Sequence, residues 1–313
     1  MGSVDLAAIK AAHTRIKPFI HRTPVMTSLT IDAMTGAQVF FKCENLQKAG
    51  AFKYRGATNA VQSLSETEAK RGVVTHSSGN HAGALSLAAR VRGIPAYIVM
   101  PSSTPQIKQD AVRGYGGQIT ICEPTLAARE STAAAVQSRT GAVMIHPFDN
   151  DAVIAGQGTA AVELLEEVPE LDAILAPVGG GGLLSGTAIA ARALRPGMKV
   201  VGCEPQLADD AAESFRTGKI APARPPRSVG DGLLTSLCER TFGYIRANVN
   251  QIALASDEEM LAAMRLVLQR MKILIEPSCG VALAVLLNGA TAFQGKKVGV
   301  IISGGNVEIS RLV

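Results

Sequence analysis

Residues 173–186 read Ala-Ile-Leu-Ala-Pro-Val-Gly-Gly-Gly-Gly-Leu-Leu-Ser-Gly, and an Ala-rich helical pattern follows them. The first five residues, Ala173–Pro177, have the length and composition of a buried strand. The four glycines, Gly179–Gly182, allow a tight turn that exposes several N–H groups at a helix N-terminus, which is a typical phosphate site. No Gly-Lys-Ser/Thr follows, as it would in an NTPase loop, and the acidic partner of a dinucleotide fingerprint is not found. The stretch therefore predicts a strand, an anion-binding loop and a helix.

The same order of strand, loop and helix recurs along most of the chain. Short apolar runs predict strands at Gln38–Cys43, Gly72–Thr75, Ala96–Met100, Gln118–Cys122, Ala142–His146, Ala173–Pro177, Lys199–Cys203, Gln251–Ala255 and Lys297–Ile302. Amphipathic stretches predict helices at Ala82–Arg92, Pro105–Tyr115, Leu126–Thr140, Val153–Val168, Leu183–Leu194, Asp257–Met271 and Ser278–Leu287. This alternation is typical of an open parallel α/β sheet, in which functional loops gather at the carboxyl ends of the strands.

The chain has no linker rich in Pro or Ser, so two lobes would have to be interleaved. Residues 67–142 contain enough predicted strands and helices to form a small inserted domain. Residues 1–66 and 143–313 would then form the large domain, which carries the glycine-rich loop. We expect two open parallel α/β lobes with the active site in the cleft between them.

The composition of the 313 residues excludes several classes of protein. The net charge of +5 is mild and no basic run alternates with aromatic residues, so we expect anionic small molecules and no nucleic acid as partners. The five cysteines form no CxxC pair, which indicates a reducing compartment without disulfides or a zinc site. No apolar run reaches the ~18 residues of a membrane span, and no signal peptide is found, so we expect a cytoplasmic protein with no membrane partner.

Residues 50–56, Gly-Ala-Phe-Lys-Tyr-Arg-Gly, place Lys53 between two aromatic residues. An ammonium group held against aromatic surface is desolvated, which lowers its pKa and favours the neutral amine that attacks a carbonyl. Lys53 is therefore the candidate for a Schiff-base lysine. Among 31 Lys and Arg residues an isolated lysine is more often solvated surface, so this interpretation depends on the other motifs.

Two further polar loops follow predicted strands. Residues 76–81 read His-Ser-Ser-Gly-Asn-His, and their hydroxyl, amide and N–H groups suit a carboxylate or a ring hydroxyl. A plain N-cap for the following helix explains the same residues. Residues 302–306 read Ile-Ser-Gly-Gly-Asn, which places the hydroxyl of Ser303 at the mouth of a sheet.

The four motifs, in this order and over nearly the whole chain, resemble the fold-type II pyridoxal-phosphate enzymes, which share the fold of the tryptophan synthase β subunit. Within them the chain is similar to the serine racemase and threonine/serine dehydratase group. The resemblance implies a homodimer that uses pyridoxal 5′-phosphate. It also implies the dehydration of L-serine or L-threonine to a 2-oxo acid and ammonia, together with racemisation of serine.

Three alternatives to this function stay open. The nearest is an ammonia-lyase for 3-hydroxyaspartate, which the charge of +5 allows but does not require. A nicotinamide-dependent dehydrogenase could also use a glycine-rich loop after a strand, but it needs neither Lys53 nor the other motifs. A sensor without catalytic activity on the same fold is disfavoured, because both candidate proton-transfer residues are present.

The resemblance implies a role for each motif residue. Lys53 would bond to the cofactor aldehyde, Phe52 would pack against the cofactor ring and Ser303 would face the pyridine nitrogen. Asn80 would bond the phenolic oxygen. The N–H groups implied for the phosphate are those of Gly179, Gly180, Gly181, Gly182 and Leu183. The residues implied on the substrate side are Ser77, Ser78, Asn80, His81, Arg129 and Asp231, although surface ion pairs are an alternative for the last two.

Lys53 and Ser78 are implied as an acid/base pair on opposite faces of the substrate. The free amine of Lys53 would act as the base at Cα, and Ser78 would transfer a proton on the other face. Unlike an aspartate, a serine opposite the pyridine nitrogen does not keep that nitrogen protonated, so β-elimination is favoured over transamination. Both racemisation and dehydration are therefore expected.

A second candidate site lies in residues 203–210, which read Cys-Glu-Pro-Gln-Leu-Ala-Asp-Asp. Carboxylates in a loop after a strand suit a hard cation, but the pattern alone is that of a solvated acidic turn. The resemblance implies a divalent cation, Mg²⁺, Ca²⁺ or Mn²⁺, bound by Glu204, Asp210 and the carbonyl of Ala208.

The sequence departs from the pattern of this group at three places. Ala51 stands where a Ser or Thr is usual, which removes one hydroxyl near Lys53. Ala82-Gly83-Ala84 lacks the glutamine that helps some animal racemases to bind ATP, so an ATP effector is doubtful. Phe148 stands where a smaller polar residue is often found, which alters the fit of a substrate.

Overall fold

The computed structural model describes residues 4–308 of the chain. The strands of this part are β1 (Val25–Met26), β2 (Gln38–Cys43), β3 (Val73–His76), β4 (Ala96–Pro101), β5 (Gln118–Cys122), β6 (Val143–Met144), β7 (Ala173–Pro177), β8 (Lys199–Pro205), β9 (Gln251–Ala255) and β10 (Lys297–Ile302). The helices are α1 (Leu6–Ile16), α2 (Leu29–Thr35), α3 (Lys53–Gln62), α4 (Glu66–Arg71), α5 (Asn80–Arg92), α6 (Gln106–Gly114), α7 (Leu126–Thr140), α8 (Asp151–Glu167), α9 (Gly182–Leu194), α10 (Asp210–Thr217), α11 (Glu239–Asn248), α12 (Asp257–Met271), α13 (Pro277–Asn288) and α14 (Ala290–Phe293).

The strands form two separate sheets. The larger sheet has the order β1-β2-β10-β7-β8-β9, and the smaller has the order β5-β4-β3-β6. Every pairing is parallel except that of the edge strand β1, which runs antiparallel to β2. The predicted α/β class with parallel sheets is confirmed.

Helices cover both faces of the larger sheet, so the inner positions of its strands are mostly apolar. Successive residues of β7 point to opposite faces, as in any strand. Leu175 packs in the cluster that contains Leu283 of α13, whereas Ile174 packs in the cluster that contains Leu184 of α9. This burial on two sides explains why β7 reads as a continuous apolar run with no polar alternation.

The smaller sheet is also covered on both faces. Val73 and Ile98 pack with Leu85 of α5 on one face, while Val74 packs with Val136 of α7 on the other. Tyr54, Ala57 and Val61 of α3 belong to the same core cluster as Leu85, so α3 packs on α5, a helix of the smaller sheet, although it precedes residue 67. The proposed domain bounds at 66/67 and 142/143 stay a prediction.

Five strands begin and end at the predicted residues, namely β2, β5, β7, β9 and β10. Each predicted strand and helix is present, and α7 and α12 begin and end where they were predicted. Among the predicted strands, the largest difference in length is at β6, which has two residues instead of the predicted five. Helices α1–α4 were not predicted, and neither were α10, α11 and α14.

No helix within residues 4–308 combines the length and the apolar character needed to cross a membrane.

Candidate active site

Lys53 is the first residue of α3, and the end of β10 fixes the chain just before it. The N–H of Phe52 donates to the carbonyl of Ser303 at 2.9 Å. Ala51 pairs with Gly304 in an isolated antiparallel bridge. The lysine heptapeptide and the Ser-Gly-Gly-Asn loop, which lie far apart in sequence, are therefore neighbours in the fold.

The amine of Lys53 lies in a partly buried environment with few charges. Its Nζ donates to the carbonyl of Pro147 at 3.0 Å and lies 5.1 Å from the centroid of the Phe52 ring. Burial lowers the pKa of Lys53 to about 8, although the carboxyl group of Glu276 acts in the opposite direction. A useful fraction of the amine is therefore neutral and nucleophilic near neutral pH.

The glycine-rich loop joins β7 to the N-terminus of α9. Gly181 has a φ of +85°, in the left-handed region that favours glycine. Within residues 4–308, none of the N–H groups from Gly179 to Leu183 donates to another protein group. These N–H groups lie at the positive end of the α9 dipole, so the loop has the chemical character of an anion site.

Phe148 closes one side of this loop. A Cβ added to Gly180 would lie 2.2 Å from Cδ1 of Phe148, so only glycine allows this close approach. A Cβ on Gly179 would likewise lie 2.9 Å from the Cα of Leu233. The ring of Phe148 also packs edge-on against His146, with 4.6 Å between the ring centroids. Phe148, supported by His146, therefore forms part of the wall beside the glycine-rich loop.

The loop after β3 contains Ser77 and Ser78 and ends at the N-terminus of α5. The N–H of Ser77 donates to the carbonyl of Val99 at 3.0 Å, and its hydroxyl accepts from the N–H of Gly79 at 3.3 Å. Ser78 is partly buried. His81 is only 2% exposed, with Nε2 at 3.1 Å from the carbonyl of Ile145. The His81 ring thus supports the loop from the protein interior.

Asn80 is the centre of a polar chain that links the two sheets. Its Nδ2 donates to Oε1 of Glu276 at 2.8 Å. Its Oδ1 accepts a hydrogen bond from Nδ2 of Asn306 at 2.9 Å. Burial raises the pKa of Glu276 to about 7, although the hydrogen bond from Asn80 acts in the opposite direction. Asn80, Glu276 and Asn306 therefore hold the loops after β3 and β10 together.

The two proposed substrate-side residues outside the main motifs have different surroundings. Nε of Arg129 is buried, and no hydrogen-bond partner for it is found within residues 4–308. Asp231 instead accepts from Nζ of Lys108 at 2.6 Å, which joins α6 of the smaller sheet to the chain before α11. Arg129 lies close enough to His76 for its charge to add to the effect of burial, which lowers the pKa of that histidine. The alternative of an ion pair therefore describes Asp231 better than Arg129.

The acidic turn after β8 buries two carboxyl groups, Glu204 and Asp210, each 1% exposed. Glu204 accepts from the N–H groups of Ala211 at 2.9 Å and Ala212 at 2.8 Å, at the N-terminus of α10. Burial raises the pKa of Glu204 to about 8 and that of Asp210 to about 6. Both oxygens of Asp210 lack a hydrogen-bond partner in the described part of the chain, where no group of three or more His, Cys, Asp or Glu side chains suits a metal.

Sequence reasoning missed Glu276, which lies just before α13 and faces the site. The only local signal was the pair Glu276 and Pro277, since proline is common in the first turn of a helix. The contact with Asn80 spans 196 residues, so no spacing rule reveals it. It also missed that the carbonyl of Pro147 accepts from Lys53.

Comparisons with known proteins agree with this arrangement. Residues 16–304 match the family model described as pyridoxal-phosphate dependent enzyme. The chain is 52% identical to a beta-hydroxyaspartate dehydratase of Paracoccus denitrificans, with 96% of each protein covered. It is 50% identical to a serine racemase of Dictyostelium discoideum, with 100% of this chain and 98% of the relative covered. The crystal structure of serine racemase from Dictyostelium discoideum matches with a TM-score of 0.94 over 98% of this chain and 100% of that one. With a family match over most of its length, the chain belongs to the pyridoxal-phosphate-dependent enzymes.

Proposed function

We propose that this protein is a pyridoxal-phosphate-dependent serine racemase that also dehydrates serine and threonine. The observation that carries the proposal is the environment of Lys53, an amine with a pKa of about 8 beside the segments after β6 and β10. The similarity to a serine racemase at 50% identity supports the choice of substrate and reaction. The similarity to a dehydratase at 52% identity supports the elimination reaction.

The residues present fit the cofactor that the family implies. Lys53 supplies an amine for the cofactor aldehyde, and the free N–H groups from Gly179 to Leu183 suit its phosphate. Ser303 is 3% exposed at the end of β10, which suits a neutral partner for the pyridine nitrogen. When bound, pyridoxal phosphate withdraws electrons from Cα of the amino acid and so makes its proton acidic.

The chain's own groups then move the protons. Lys53, in its neutral form, accepts the proton from Cα on one face. Ser78 donates a proton on the opposite face, which yields the other enantiomer. In dehydration the bond from Cβ to the hydroxyl oxygen breaks instead, and the proton that Lys53 took from Cα leaves with that hydroxyl as water. Ser77 and the N-terminus of α5, with Asn80 and His81 in its first turn, hold the substrate carboxylate.

An ammonia-lyase for 3-hydroxyaspartate is the second candidate, because a specific group suits a second carboxylate. The buried Nε of Arg129 has no partner within the described part of the chain. A guanidinium group with free N–H donors is well suited to a carboxylate. The similarity to a beta-hydroxyaspartate dehydratase supports the same candidate.

A divalent cation, most simply Mg²⁺, is proposed for the acidic turn. Asp210 presents two buried oxygens without partners, and Glu204 is buried beside it. A cation would neutralise both carboxylates and take the carbonyl of Ala208 as a third oxygen ligand. The raised pKa values of both groups indicate that the protein alone does not neutralise them.

Several further properties belong to the same proposal. We propose a homodimer, a cytoplasmic location, and the division into domains 1–66 with 143–313 and 67–142. Their support is the resemblance to the racemase and dehydratase group. An ATP effector is disfavoured, because Ala82-Gly83-Ala84 lacks the glutamine expected for it.

The proposed reaction is tested with purified protein and pyridoxal phosphate. The protein should turn yellow, and borohydride should fix the cofactor to Lys53, which peptide mass spectrometry identifies. Chiral chromatography after incubation with L-serine should detect D-serine, and a coupled assay should detect pyruvate. A colourless protein that takes up no cofactor would contradict the proposal. A ratio of kcat/KM that favours 3-hydroxyaspartate over serine would favour the second candidate.

Ser78 and Asp210 test the two finer assignments. Ser78→Ala should abolish D-serine formation, and unchanged D-serine formation would contradict the role of Ser78. Chelation should lower the melting temperature of the wild type, since loss of a ligand at ~100 times its Kd costs ~2.7 kcal/mol. Asp210→Asn should remove this sensitivity to chelation. The control Asp172→Asn, which lies just before β7 at the opposite end of the strands, should keep it.

A further inference from the structure

Arg55 lies two residues after Lys53, and it is completely buried in an ionic network. Its Nε and Nη2 donate to the two oxygens of Glu44 at 2.7 and 2.8 Å, and its Nη1 and Nη2 donate to Glu163 at 2.8 and 2.7 Å. Lys42 donates to Glu163 at 2.7 Å. We call these four side chains, Arg55, Glu44, Glu163 and Lys42, the Arg55 network; each is at most 1% exposed.

The network is electrically balanced, with two cations and two carboxylates. A hydrogen bond from His13, whose Nε2 lies 3.3 Å from Oε1 of Glu163, and the charges of Arg55 and Lys42 lower the pKa of Glu163 despite its burial. The two carboxylates likewise raise the pKa of Arg55 despite its burial. Three further groups satisfy what remains: Thr23 donates to Glu44 at 2.6 Å, Lys42 donates to the carbonyl of Thr23 at 2.7 Å, and Thr159 accepts from Arg55 at 3.2 Å. Every member therefore has a fixed orientation.

The network joins the first turn of α3 to the end of β2 and to α8. Lys42 belongs to β2, Glu44 follows that strand directly, and Glu163 belongs to α8. The apolar side of α3 meanwhile packs, through Tyr54 and Ala57, in the core cluster of α5, the helix that covers one face of the smaller sheet. Helix α3 thus has ionic contacts on the side of the larger sheet and apolar contacts on the side of the smaller one.

Stability alone does not explain this choice of residues. A buried ion pair pays a large desolvation cost, and apolar side chains of similar volume often stabilise a core as well or better. What apolar side chains do not provide is orientation, because their contacts are not directional. Two bidentate guanidinium–carboxylate pairs fix the plane and the direction of Arg55.

We propose that the Arg55 network is a positioning device for Lys53. It holds the first turn of α3 against the larger sheet, where Ser303 and the glycine-rich loop lie, and so keeps Nζ of Lys53 in its desolvated place. Arg55, Glu44 and Glu163 touch neither substrate nor cofactor and act only through Lys53. The test by enzyme kinetics rests on the proposed function, whereas the test by acetylation of Lys53 does not.

The deciding variant is Arg55→Lys, which keeps the charge and removes both bidentate pairs. Its matched control is Arg22→Lys. Arg22 also forms an ion pair with α8, in which its Nη1 lies 2.8 Å from Oε2 of Glu166, but its side chain is 51% exposed. The first readout is the pH at which Lys53 of the full-length, cofactor-free protein is half-maximally acetylated, measured by peptide mass spectrometry. The second is kcat and KM of the holoenzyme for L-serine, relative to the wild type.

In Arg55→Lys we expect the acetylation midpoint to rise from about 8 toward the ordinary lysine value, because the amine becomes more hydrated. We expect kcat to fall by about 10-fold or more with KM changed less than ~3-fold. Arg22→Lys should match the wild type in both readouts. A folded Arg55→Lys protein with the wild-type midpoint and kcat would overturn the proposal.

Thr159→Val covers the case in which Arg55→Lys does not fold. It removes only the bond to Nη1 of Arg55 and leaves both ion pairs. A smaller rise of the acetylation midpoint supports positioning, whereas a wild-type midpoint overturns it. If the wild type neither racemises nor dehydrates any β-hydroxy amino acid, the proposed function fails, and the acetylation midpoints still decide the positioning role.

Discussion

Lys42 and Lys53 lie eleven residues apart in the sequence, yet their amines have opposite surroundings. Lys42 is fully buried and donates to the carboxylate of Glu163 at 2.7 Å. Lys53 is only partly buried and donates to the uncharged carbonyl of Pro147 at 3.0 Å. Burial lowers the pKa of both lysines, but in Lys42 the charges of Glu163 oppose that effect.

This difference shows that burial alone does not make a lysine reactive. The ion pair with Glu163 stabilises the charged form of Lys42 and keeps its amine bound in the protein interior. Within residues 4–308 no carboxylate forms an ion pair with Lys53, which is only partly buried, so its neutral form is available for chemistry. Four predictions test this contrast, in order of decreasing effect.

The largest effect is expected from Lys53→Met. Activity should fall by about 10³-fold or more, because the residue that binds the cofactor and moves the proton is lost. Stability should stay within ~1 kcal/mol of the wild type, since no ion pair is broken. Steady-state kinetics and urea unfolding measure the two quantities. A large loss of stability would place Lys53 with the structural lysines.

The opposite result is expected from Lys42→Met. Within residues 4–308 the change leaves Arg55 as the one fully buried cation beside Glu163 and Glu44, and the partly exposed His13 as the other contact of Glu163, so two buried carboxylates share a single fully buried positive charge. The free energy of unfolding should fall by ~3–5 kcal/mol, as for other buried pairs that lose one partner. Urea unfolding at neutral pH measures this change. A variant as stable as the wild type would show that the network is dispensable for folding.

The pH dependence of cofactor uptake tests the charge state of Lys53. Only the neutral amine attacks the aldehyde, so the rate should rise with pH and be half-maximal near the pKa of about 8. Glu276 raises this pKa, so Glu276→Gln should move the midpoint lower, by no more than ~1 unit or ~1.4 kcal/mol. Stopped-flow absorbance measures the rate. A wild-type midpoint near that of a free lysine would contradict the desolvated environment.

The smallest effect is expected from Lys297→Met, a control at the surface. Lys297 pairs with Glu170 at 2.5 Å, but the two side chains are 37% and 69% exposed. Stability should change by at most ~0.5 kcal/mol, because water and salt screen exposed pairs. A loss comparable to that of Lys42→Met would show that burial is not what separates the two pairs.

Within residues 4–308 the sequence was sufficient for strands β2–β10, for seven of the fourteen helices and for the order of the motifs. Strand β7 and the glycine-rich loop were predicted because a strand buried on two faces and a run of glycines are local signals. The first turn of α3 was not recognised as helical, since Phe52, Lys53 and Tyr54 were interpreted by their chemistry. The Arg55 network could not be predicted from the sequence, because Arg55 and Glu163 are 108 residues apart and each has the pattern of an ordinary surface charge. Such pairs depend on the fold and not on any spacing.

The close contact between Phe148 and Gly180 has a consequence for engineering the cleft. A Cβ at position 180 would meet the Phe148 ring at 2.2 Å, so the two positions share one volume. A library that varies residue 180 alone should therefore yield few active clones. Exchanging Phe148 for a smaller side chain at the same time would give room for alanine at 180. Positions 148 and 180 therefore have to be varied together.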